Sequence, residues 1–266
     1  MKLSFRAFPS PLYHTTAENL KKAMAGKVHL LQHGDEAYMS LLDLCKEKTK
    51  TLFPNDNPKV SFFASSSEPD NFFDKNKVAV RNTIDEVSGA YSRPFGKLKK
   101  GAFRAGTAVP YLENLHPSRP FYFESDKALG LLPGLTVLCH PDMAFLPGRA
   151  NAINPLSLYL YSKHLEDILT KGIQAIRNEM VYKKTIIYEF FKSADWLEPI
   201  SLEKEQSLTI FRARSNRNLD ALVTTLEQKK ILIEPASHVL SISSYPAHSK
   251  EQVEMLLDHI DTWSKG

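Results

Sequence analysis

Lys127 is the residue of this sequence whose surroundings favour covalent chemistry. It follows an apolar run at residues 120–125 and precedes a turn that contains Gly130, Pro133 and Gly134. A strand end holds a side chain rigidly, and glycines let a planar ligand approach the backbone. A desolvated lysine has a lowered pKa, so its neutral amine can attack a carbonyl carbon. The alternative interpretation is a solvated surface charge, which is the commoner role of a lysine in a turn.

An amine of that kind is what pyridoxal phosphate (PLP) requires, because a lysine holds this cofactor through its aldehyde. Residues 125–135, Ser-Asp-Lys-Ala-Leu-Gly-Leu-Leu-Pro-Gly-Leu, resemble the cofactor-lysine segment of class V, fold type I, PLP-dependent aminotransferases, and most closely the phosphoserine aminotransferase-like branch. The resemblance implies that Lys127 is the catalytic Schiff-base lysine and that Ser125 binds the cofactor. Asp126 departs from the pattern, because the family usually has a glutamine there.

Two further segments resemble parts of the family that hold the cofactor phosphate. Residues 62–68 resemble the strand and serine/threonine loop that opens the phosphate site, which implies cofactor contacts from Ser65, Ser66 and Ser67. Serine hydroxyls and N–H groups at a helix start bind anions well; the alternative for three serines is an ordinary loop or helix cap. Residues 152–160 resemble the segment that sends an asparagine to the phosphate across the dimer interface, and Asn154 is the match.

The ring-stacking element and the end of the chain also resemble the family. Residues 88–92, Ser-Gly-Ala-Tyr-Ser, match an element whose aromatic ring stacks on the pyridine, which gives Tyr91 that role. The alternative for Tyr91 is a packed core aromatic. Residues 240–254 resemble the last strand and helix of the small lobe. Because these matches occur in the family's order, together they are stronger evidence than any one alone.

A shortened middle is the main departure from the family. Full-length relatives have further central strands between the stacking element and the lysine strand, together with an aspartate that pairs with the pyridine nitrogen. Residues 83–88 resemble the family's Asp-x-Val-Ser, which would make Asp85 that aspartate. The same residues also lead into the stacking element at the correct distance from the serine loop. We prefer the second assignment, and it makes Asp85 a surface residue.

Two substrate-binding arginines of the family are replaced here. The family's His-Arg-Ser near the N-terminus reads Gln32-His33-Gly34, and its last-strand arginine falls at Ser241. Arginine binds carboxylate or phosphate in a two-point geometry that neither replacement reproduces. We therefore expect His33 and Ser241 at the substrate-binding positions and a substrate other than phosphoserine. His238 is also near the inferred site, although a lone histidine is more often structural or at the surface.

The spacing of apolar residues predicts strands alternating with helices, which indicates an α/β protein. Helices are predicted at residues 15–25, 35–51, 154–170, 172–192, 219–229 and 250–263, and strands at 59–65, 120–125, 135–139, 207–213, 231–234 and 239–243. Residues 96–119 are predicted as a loop. With the resemblance, this implies a reduced fold type I aminotransferase-like large domain, residues 1–170 including an N-terminal segment, and a smaller α+β C-terminal lobe, residues 171–266.

Composition excludes several classes of protein. The 266 residues are 42% hydrophobic and 24% charged, so collagen-like, mucin-like and disordered chains are excluded. Net charge is +4 with no basic block beyond Lys97, Lys99 and Lys100, so no nucleic acid partner is expected. The presence of two cysteines, Cys45 and Cys139, argues against a disulfide framework. With no apparent signal or membrane segment, we expect a cytoplasmic protein that binds no membrane.

These observations predict a diverged PLP-dependent transferase of aminotransferase type, acting on a small amino compound and using no metal. Without the pyridine aspartate the ring is a weaker electron sink, so racemisation, elimination or slow transamination is as plausible as standard amino transfer. A reduced central sheet leaves edges uncovered, which favours a homodimer with a shared active site. One alternative is a catalytically degenerate aminotransferase fold that serves binding or assembly. The other is an unrelated α/β domain whose lysine loop matches by chance.

Overall fold

The computed structural model describes residues 3–6, 14–53, 58–76, 78, 80–82, 84–85, 90–91, 102–104, 120–141, 153–201, 206–234 and 237–266, with only the backbone described at 81–82, 84–85, 90–91, 103–104 and 127–128. The helices are α1 (Thr16–Ala25), α2 (Glu36–Thr51), α3 (Ser67–Lys75), α4 (Ser125–Ala128), α5 (Pro155–Lys171), α6 (Ile173–Ser193), α7 (Asp220–Gln228) and α8 (Lys250–Lys265). The strands are β1 (Leu3–Ser4), β2 (Lys59–Phe63), β3 (Val80–Asn82), β4 (Ile84–Asp85), β5 (Ala90–Tyr91), β6 (Ala102–Arg104), β7 (Phe121–Glu124), β8 (Thr136–His140), β9 (Leu197–Pro199), β10 (Ile210–Ser215), β11 (Ile231–Leu232) and β12 (Val239–Ser243).

The chain forms two compact units. The large unit comprises Leu12–Thr83 and Pro94–Ile173, and the C-terminal unit comprises Met1–Pro11, Ile84–Arg93 and Gln174–Gly266. The sequence predicted a division between residues 170 and 171, with everything before it in the large domain. The structure differs for β1, β4 and β5, which fall in the C-terminal unit. No helix in the described part of the chain is long and apolar enough to cross a membrane.

The large unit is built on a five-stranded sheet in the order β2-β8-β7-β6-β3. Strands β7, β6 and β3 run parallel, and β8 is antiparallel to both of its neighbours. On one face Phe62 and Phe123 meet Tyr161 of α5, with ring centroids 6.0 and 6.4 Å apart. On the other face Tyr122 stacks on Phe73 of α3 at 6.0 Å. A sheet covered on both faces explains why β7 and β8 are nearly continuous apolar runs.

Strand β6 lies inside the segment that the sequence predicted as a loop. Three residues are too few to show a strand period. The strand exists because it pairs in parallel with β3 on one side and with β7 on the other. These partners are distant in sequence, so local pattern alone does not predict it.

Helices α1, α2 and α5 pack together beside this sheet. The Cys45 thiol on α2 donates to the Leu158 carbonyl of α5 (3.3 Å). Lys48 of α2 pairs with Glu166 of α5 (2.5 Å). Burial raises the pKa of the Cys45 thiol to about 12 and also raises the pKa of the Cys139 thiol. Both thiols therefore stay protonated at neutral pH and are structural rather than nucleophilic.

The C-terminal unit holds an antiparallel sheet in the order β12-β10-β9 and a parallel pair of β1 and β11. Alternate residues of β10 and β12, including Phe211 and Ile242, enter a core shared with α6, α7 and α8. A capping box between Ser249 and Gln252 starts α8, because each side chain satisfies the other residue's backbone N–H. These contacts make the last part of the chain a compact α+β body.

The short strand β1 is fixed to this unit by a buried histidine. His248 is 1% exposed, and its Nε2 donates to the Ser4 carbonyl (2.7 Å) while its Nδ1 accepts from the Tyr245 N–H (3.0 Å). The Phe5 ring stacks on the imidazole with a centroid separation of 4.4 Å. One nitrogen must donate and the other must accept, so these contacts require the neutral imidazole.

Acid is expected to destabilise the C-terminal unit through His248. Burial, with the nearby Lys183 charge, lowers the pKa of His248 from 6.5 to about 4. The unfolded chain therefore binds the proton more tightly, so the stabilisation is complete above pH 6.5 and falls as the pH drops to about 4. The expected loss is about 3 kcal/mol. Urea unfolding followed by tryptophan fluorescence at several pH values measures it.

A His248→Gln variant is the control for this pH dependence. Glutamine does not titrate, so its unfolding free energy should change less between pH 6.5 and 4 than that of the natural chain. Burial also lowers the pKa of His164, in the large unit, to about 3. Both tryptophans, Trp196 and Trp263, lie in the C-terminal unit. Tryptophan fluorescence therefore reports unfolding of the unit that contains His248 and not of the unit that contains His164. Equal pH slopes in the two proteins would contradict the assignment to His248.

Candidate functional site

The register of the large sheet brings the serine loop and the lysine turn to one edge. Phe63 of β2 lies opposite Thr136 of β8, and Thr136 lies opposite Glu124 of β7. Since β8 is antiparallel to both, β2 and β7 point the same way and end side by side. Neighbouring strands are ~4.8 Å apart, so the two chain exits lie roughly 10 Å apart. Carboxyl ends of strands are where α/β sheets bind ligands.

The lysine turn, residues 125–135, is closed by hydrogen bonds of Ser125. Its N–H donates to the Leu135 carbonyl (3.0 Å), its carbonyl accepts from the Leu131 N–H (3.2 Å), and its Oγ donates to the Leu132 carbonyl (2.9 Å). Ser125 is 1% exposed. The turn reverses at Gly134, whose φ of +101° disfavours any side chain. These contacts fix the backbone of α4, which carries Lys127.

Ser125 therefore has a positioning contact in the structure. Its hydroxyl proton is donated within the turn, which leaves its oxygen lone pairs rather than its proton for any other partner. The prediction that Ser125 also touches a cofactor stays a prediction. The side chain of Lys127 is outside the described residues, so the direction of its amine stays a prediction as well.

Two helices brace the lysine turn from the side. Thr16, the first residue of α1, donates its hydroxyl to the Gly130 carbonyl (3.3 Å). Ser157, in the first turn of α5, lies 3.5 Å from the Pro133 carbonyl. Sequence analysis missed both contacts, because a threonine or serine in a first helical turn is usually attributed to capping. They place the start of α5 against the lysine turn.

Asn154 caps α5 at that start. Its Oδ1 accepts from the Leu156 N–H (2.9 Å), and the residue is exposed. This is ordinary N-cap geometry, and it leaves the two Nδ2 protons as the donors that Asn154 can offer another group. The contact with a cofactor phosphate in a second subunit, which the sequence predicted, stays a prediction.

His33 lies near the same helix start through Tyr38. The two rings have centroids 5.2 Å apart, and the buried Tyr38 hydroxyl donates to the carbonyl of Ile153, next to Asn154. Burial raises the pKa of Tyr38, so its hydroxyl remains a donor at neutral pH. His33 is exposed, which suits contact with a small molecule. Tyr38 was not predicted as a link, because nothing in its own helix pattern distinguishes it from a core aromatic.

The serine loop lies at the start of α3. The hydroxyls of Ser65 and Ser67 are 2.7 Å apart, and Ser66 is the N-cap residue, with no hydrogen bond from its own side chain to the helix. Glu68 in the first turn accepts from the Ala64 N–H (3.2 Å). The hydroxyls and the helix start are donors suited to a phosphate ester. They fit the phosphate end of PLP, although the first-turn carboxylates weaken the attraction for an anion.

A tyrosine–aspartate contact attaches α3 to the sheet. The Tyr122 hydroxyl of β7 donates to a carboxylate oxygen of Asp70 on α3. Tyr122 is fully buried. This contact engages one first-turn carboxylate at the sheet surface and joins the element that carries the serines to the strand that leads to Lys127.

The other predicted positions belong to the C-terminal unit. Tyr91 of β5 pairs with Ile84 of β4, and Asp85 pairs with Ala90; only their backbones are described. Ser241 of β12 is 1% exposed. His238 is exposed, and its carbonyl accepts from the Ser215 N–H (2.9 Å).

The structure also reveals an arginine that the sequence analysis overlooked. Arg212 of β10 lies directly opposite Ser241 in the antiparallel pair. Alternation along residues 210–215 puts Arg212 and Arg214 on one face of the strand, but the pattern does not reveal the register with β12.

Removing the Ser125 hydroxyl is expected to loosen the lysine turn. Ser125→Ala deprives the Leu132 carbonyl of its donor, and the expected loss is about 1–2 kcal/mol of unfolding free energy. Thermal unfolding measures the loss. Ser193→Ala is the matched control, because the Ser193 hydroxyl also donates to a carbonyl (3.0 Å) but is exposed; its expected change is below about 0.5 kcal/mol. Equal effects of the two substitutions would contradict a special role for Ser125.

No protein-family model matches the sequence, and no curated protein matches it either. Solved structures do. Phosphoserine aminotransferase from Cytophaga hutchinsonii superposes with a TM-score of 0.85 at 17% identity, covering 98% of each chain. PLP-bound phosphoserine aminotransferase from Trichomonas vaginalis gives a TM-score of 0.79 at 15% identity, covering 98% of this chain and 100% of its own. Alanine–glyoxylate aminotransferase from Nostoc sp. gives a TM-score of 0.71 at 13% identity, covering 98% and 94%.

The chain therefore has the fold of the class V, fold type I aminotransferases. This confirms the predicted α/β fold class and the structural resemblance inferred from the lysine segment. At identities this low the likeness shows the fold alone. What the site does is therefore argued from its own residues.

Proposed function

We propose that this protein is a PLP-dependent enzyme of aminotransferase type, in which Lys127 holds the cofactor and the substrate is a small amino compound other than phosphoserine. One observation carries the proposal: the row Phe63, Thr136 and Glu124 across three strands. Because of this register, the serine loop after β2 and the lysine turn after β7 leave the sheet at the same edge. The serine loop is of a type that binds phosphate, and the lysine turn is rigid. A single organic phosphate with an aldehyde can reach both.

Different residues of the large unit hold different parts of the cofactor. Ser65, Ser66 and Ser67 bind its phosphate with hydroxyl and N–H donors. Ser125 closes the turn that orients Lys127, and the Lys127 amine holds the aldehyde end. PLP, when bound, supplies an aldehyde that captures amino groups and a ring that withdraws electrons from bonds at the substrate α-carbon. The Lys127 amine would also serve as the base that accepts the proton from the substrate α-carbon.

The remaining predicted residues complete the proposed site. Tyr91 stacks on the pyridine ring, and His33 and Ser241 contact substrate. Asn154 donates through Nδ2 to the phosphate of a second subunit, which makes the active form a homodimer. An exposed helix cap whose Oδ1 is already engaged is consistent with that role.

The substrate proposal depends on charge. Phosphoserine carries a carboxylate and a phosphate, and arginine forks are the groups that bind both in two-point geometry. His33 and Ser241 occupy the positions at which the sequence comparison expects arginines. We therefore expect phosphoserine to be a poorer amino donor than unphosphorylated amino acids in steady-state assays. A preference for phosphoserine would overturn this part of the proposal.

Attachment of PLP to one lysine tests the function. The purified full chain is incubated with PLP, reduced with borohydride and digested, and the pyridoxyl label is located by peptide mass spectrometry. The expected result is a single label on Lys127 and a visible absorbance band before reduction. Lys265→Ala, which removes an exposed lysine of α8, should label like the natural chain. An unlabelled Lys127, or labels scattered over surface lysines, would overturn the proposal and favour a binding or assembly role.

A further inference from the structure

A cavity of about 290 Å³ lies in the C-terminal unit, between one face of α6 and residues 206–208. Its floor is buried, since Tyr188, Gln206 and Leu208 are 4%, 5% and 8% exposed. Its rim is formed by exposed residues on the same face of α6, namely Val181, Thr185, Glu189 and Lys192. Ligand cavities begin at about 300 Å³, so this space suits a small molecule.

Contacts of α6 hold the floor of this cavity in place. The Lys184 ammonium donates to the Gln206 carbonyl (3.4 Å), and the hydroxyls of Tyr188 and Ser201 are 2.9 Å apart. The Phe191 ring lies edge-on to the Tyr188 ring, with centroids 5.7 Å apart. Turning the Tyr188 ring into the cavity would break both of its contacts, so we expect the space to exist before a ligand arrives.

Gln206 is the residue of the floor that indicates a polar ligand. A glutamine side chain has two N–H donors and a carbonyl acceptor. Gln206 is only 5% exposed, yet no hydrogen bond to its side-chain amide is found in the part of the chain that the structure describes. A buried amide without a partner is unfavourable. The cavity is the open space that Gln206 borders, so a polar molecule there can supply the partner.

The rim of the cavity carries one charge of each sign. Glu189 and Lys192 are three residues apart on α6, so both side chains leave the same face of the helix. This spacing would allow an ion pair between them, but the structure has none. Among the described residues, no other side chain forms an ion pair or hydrogen bond with either of them. The rim therefore offers a carboxylate and an ammonium side by side, which is the charge pattern that complements a zwitterion.

We propose that this cavity binds an α-amino acid whose uncharged side chain ends in an amide, such as glutamine. The ligand's ammonium pairs with Glu189, its carboxylate pairs with Lys192, and its side-chain amide exchanges hydrogen bonds with the Gln206 amide. Leu208 contacts its methylene groups. The site shares no residue with the proposed PLP site, and its existence does not depend on the proposed function.

Binding of L-glutamine to the full chain without PLP tests the site. Isothermal titration should show saturable binding at millimolar concentration. L-norleucine has a straight side chain without an amide, so it should bind at least about tenfold more weakly. Gln206→Leu should weaken glutamine binding by a similar factor and leave norleucine binding unchanged. Lys192→Met should weaken glutamine binding about two- to fivefold, because exposed ion pairs are weak.

Two controls separate binding from structure and from general charge. Lys265→Met, which removes an exposed lysine of α8, should bind glutamine like the natural chain. Gln206→Leu replaces an unpaired buried amide by an apolar side chain, so its unfolding temperature should stay the same or rise. A clear drop in that temperature would mean that the amide has a structural partner, and it would overturn the proposal.

Three binding results would also overturn it: no saturable binding of glutamine, equal binding of glutamine and norleucine, or equal losses in Lys192→Met and Lys265→Met. Loss of glutamine binding in Lys127→Ala would place the ligand in the proposed PLP site instead of this cavity. Glutamine binding that depends on Gln206, in a chain that never attaches PLP, supports the cavity site and overturns the proposed function. PLP attachment without glutamine binding overturns only the cavity site.

Discussion

Replacing Lys127 by alanine is expected to lower turnover of amino compounds on the order of a thousandfold or more, because no other group of the lysine turn offers a neutral amine. The fold should not change, since Ser125 and the turn's backbone hydrogen bonds hold the loop independently of the lysine. PLP should still bind without a covalent bond through the serine loop. Steady-state assays, absorbance and thermal unfolding measure these three quantities.

Two further variants sharpen this result. Lys127→Arg keeps a long basic side chain, but a guanidinium stays protonated and cannot act as a neutral nucleophile, so it should be as inactive as the alanine variant. The double variant Ser65→Ala with Ser67→Ala should show the reverse pattern: covalent attachment persists while PLP affinity falls on the order of tenfold. Turnover in Lys127→Ala above a tenth of the natural rate would contradict the assignment.

Replacing Lys183 by alanine is expected to destabilise the C-terminal unit by about 3–5 kcal/mol. Lys183 on α6 is fully buried. Its ammonium donates to the carbonyls of His248 (2.5 Å) and Tyr245 (3.3 Å) and pairs with Glu179 (2.9 Å). Without it, two carbonyls lose a charged donor, and a mostly buried carboxylate loses this cation. Urea unfolding followed by tryptophan fluorescence should show a lower midpoint.

The neighbouring lysine provides the control. Lys184 is only partly buried, and its amine donates to the Gln206 carbonyl at 3.4 Å. Lys184→Ala should therefore change the unfolding free energy by less than about 1 kcal/mol. Because both tryptophans lie in the C-terminal unit, the signal reports this unit and not the large one. Equal midpoints for the two variants would contradict a structural role for the buried ammonium.

Long amphipathic helices and buried strands were predictable because their patterns are local. The predicted helix at 154–170 is α5 (Pro155–Lys171), and the predicted strand at 135–139 is β8 (Thr136–His140). Strands β1, β6 and β9 were not predicted. Each has two or three residues, too few to show a strand period, and is defined by its hydrogen bonds to a partner strand elsewhere in the chain.

Some residues of the candidate site could likewise be predicted from the sequence, and others could not. Lys127 and the serine loop could be selected from residue type and setting, because glycines, a strand end and a row of serines are visible in the sequence. The braces on the lysine turn, Thr16 and Ser157, could not, since each hydroxyl meets a carbonyl far away in sequence. Arg212 was missed for the same reason, because its relation to Ser241 is a matter of strand register.

The attachment of β1 has a consequence for folding during synthesis. Arg6 donates through Nε to the Ile233 carbonyl (3.0 Å) across a separation of 227 residues. During translation this short segment is therefore synthesised long before β11, the strand with which β1 pairs. The large unit can collapse while translation continues, but the C-terminal unit is completed only when its final residues emerge. Until then Phe5, whose ring ends fully buried against His248, stays exposed to chaperones and to wrong partners.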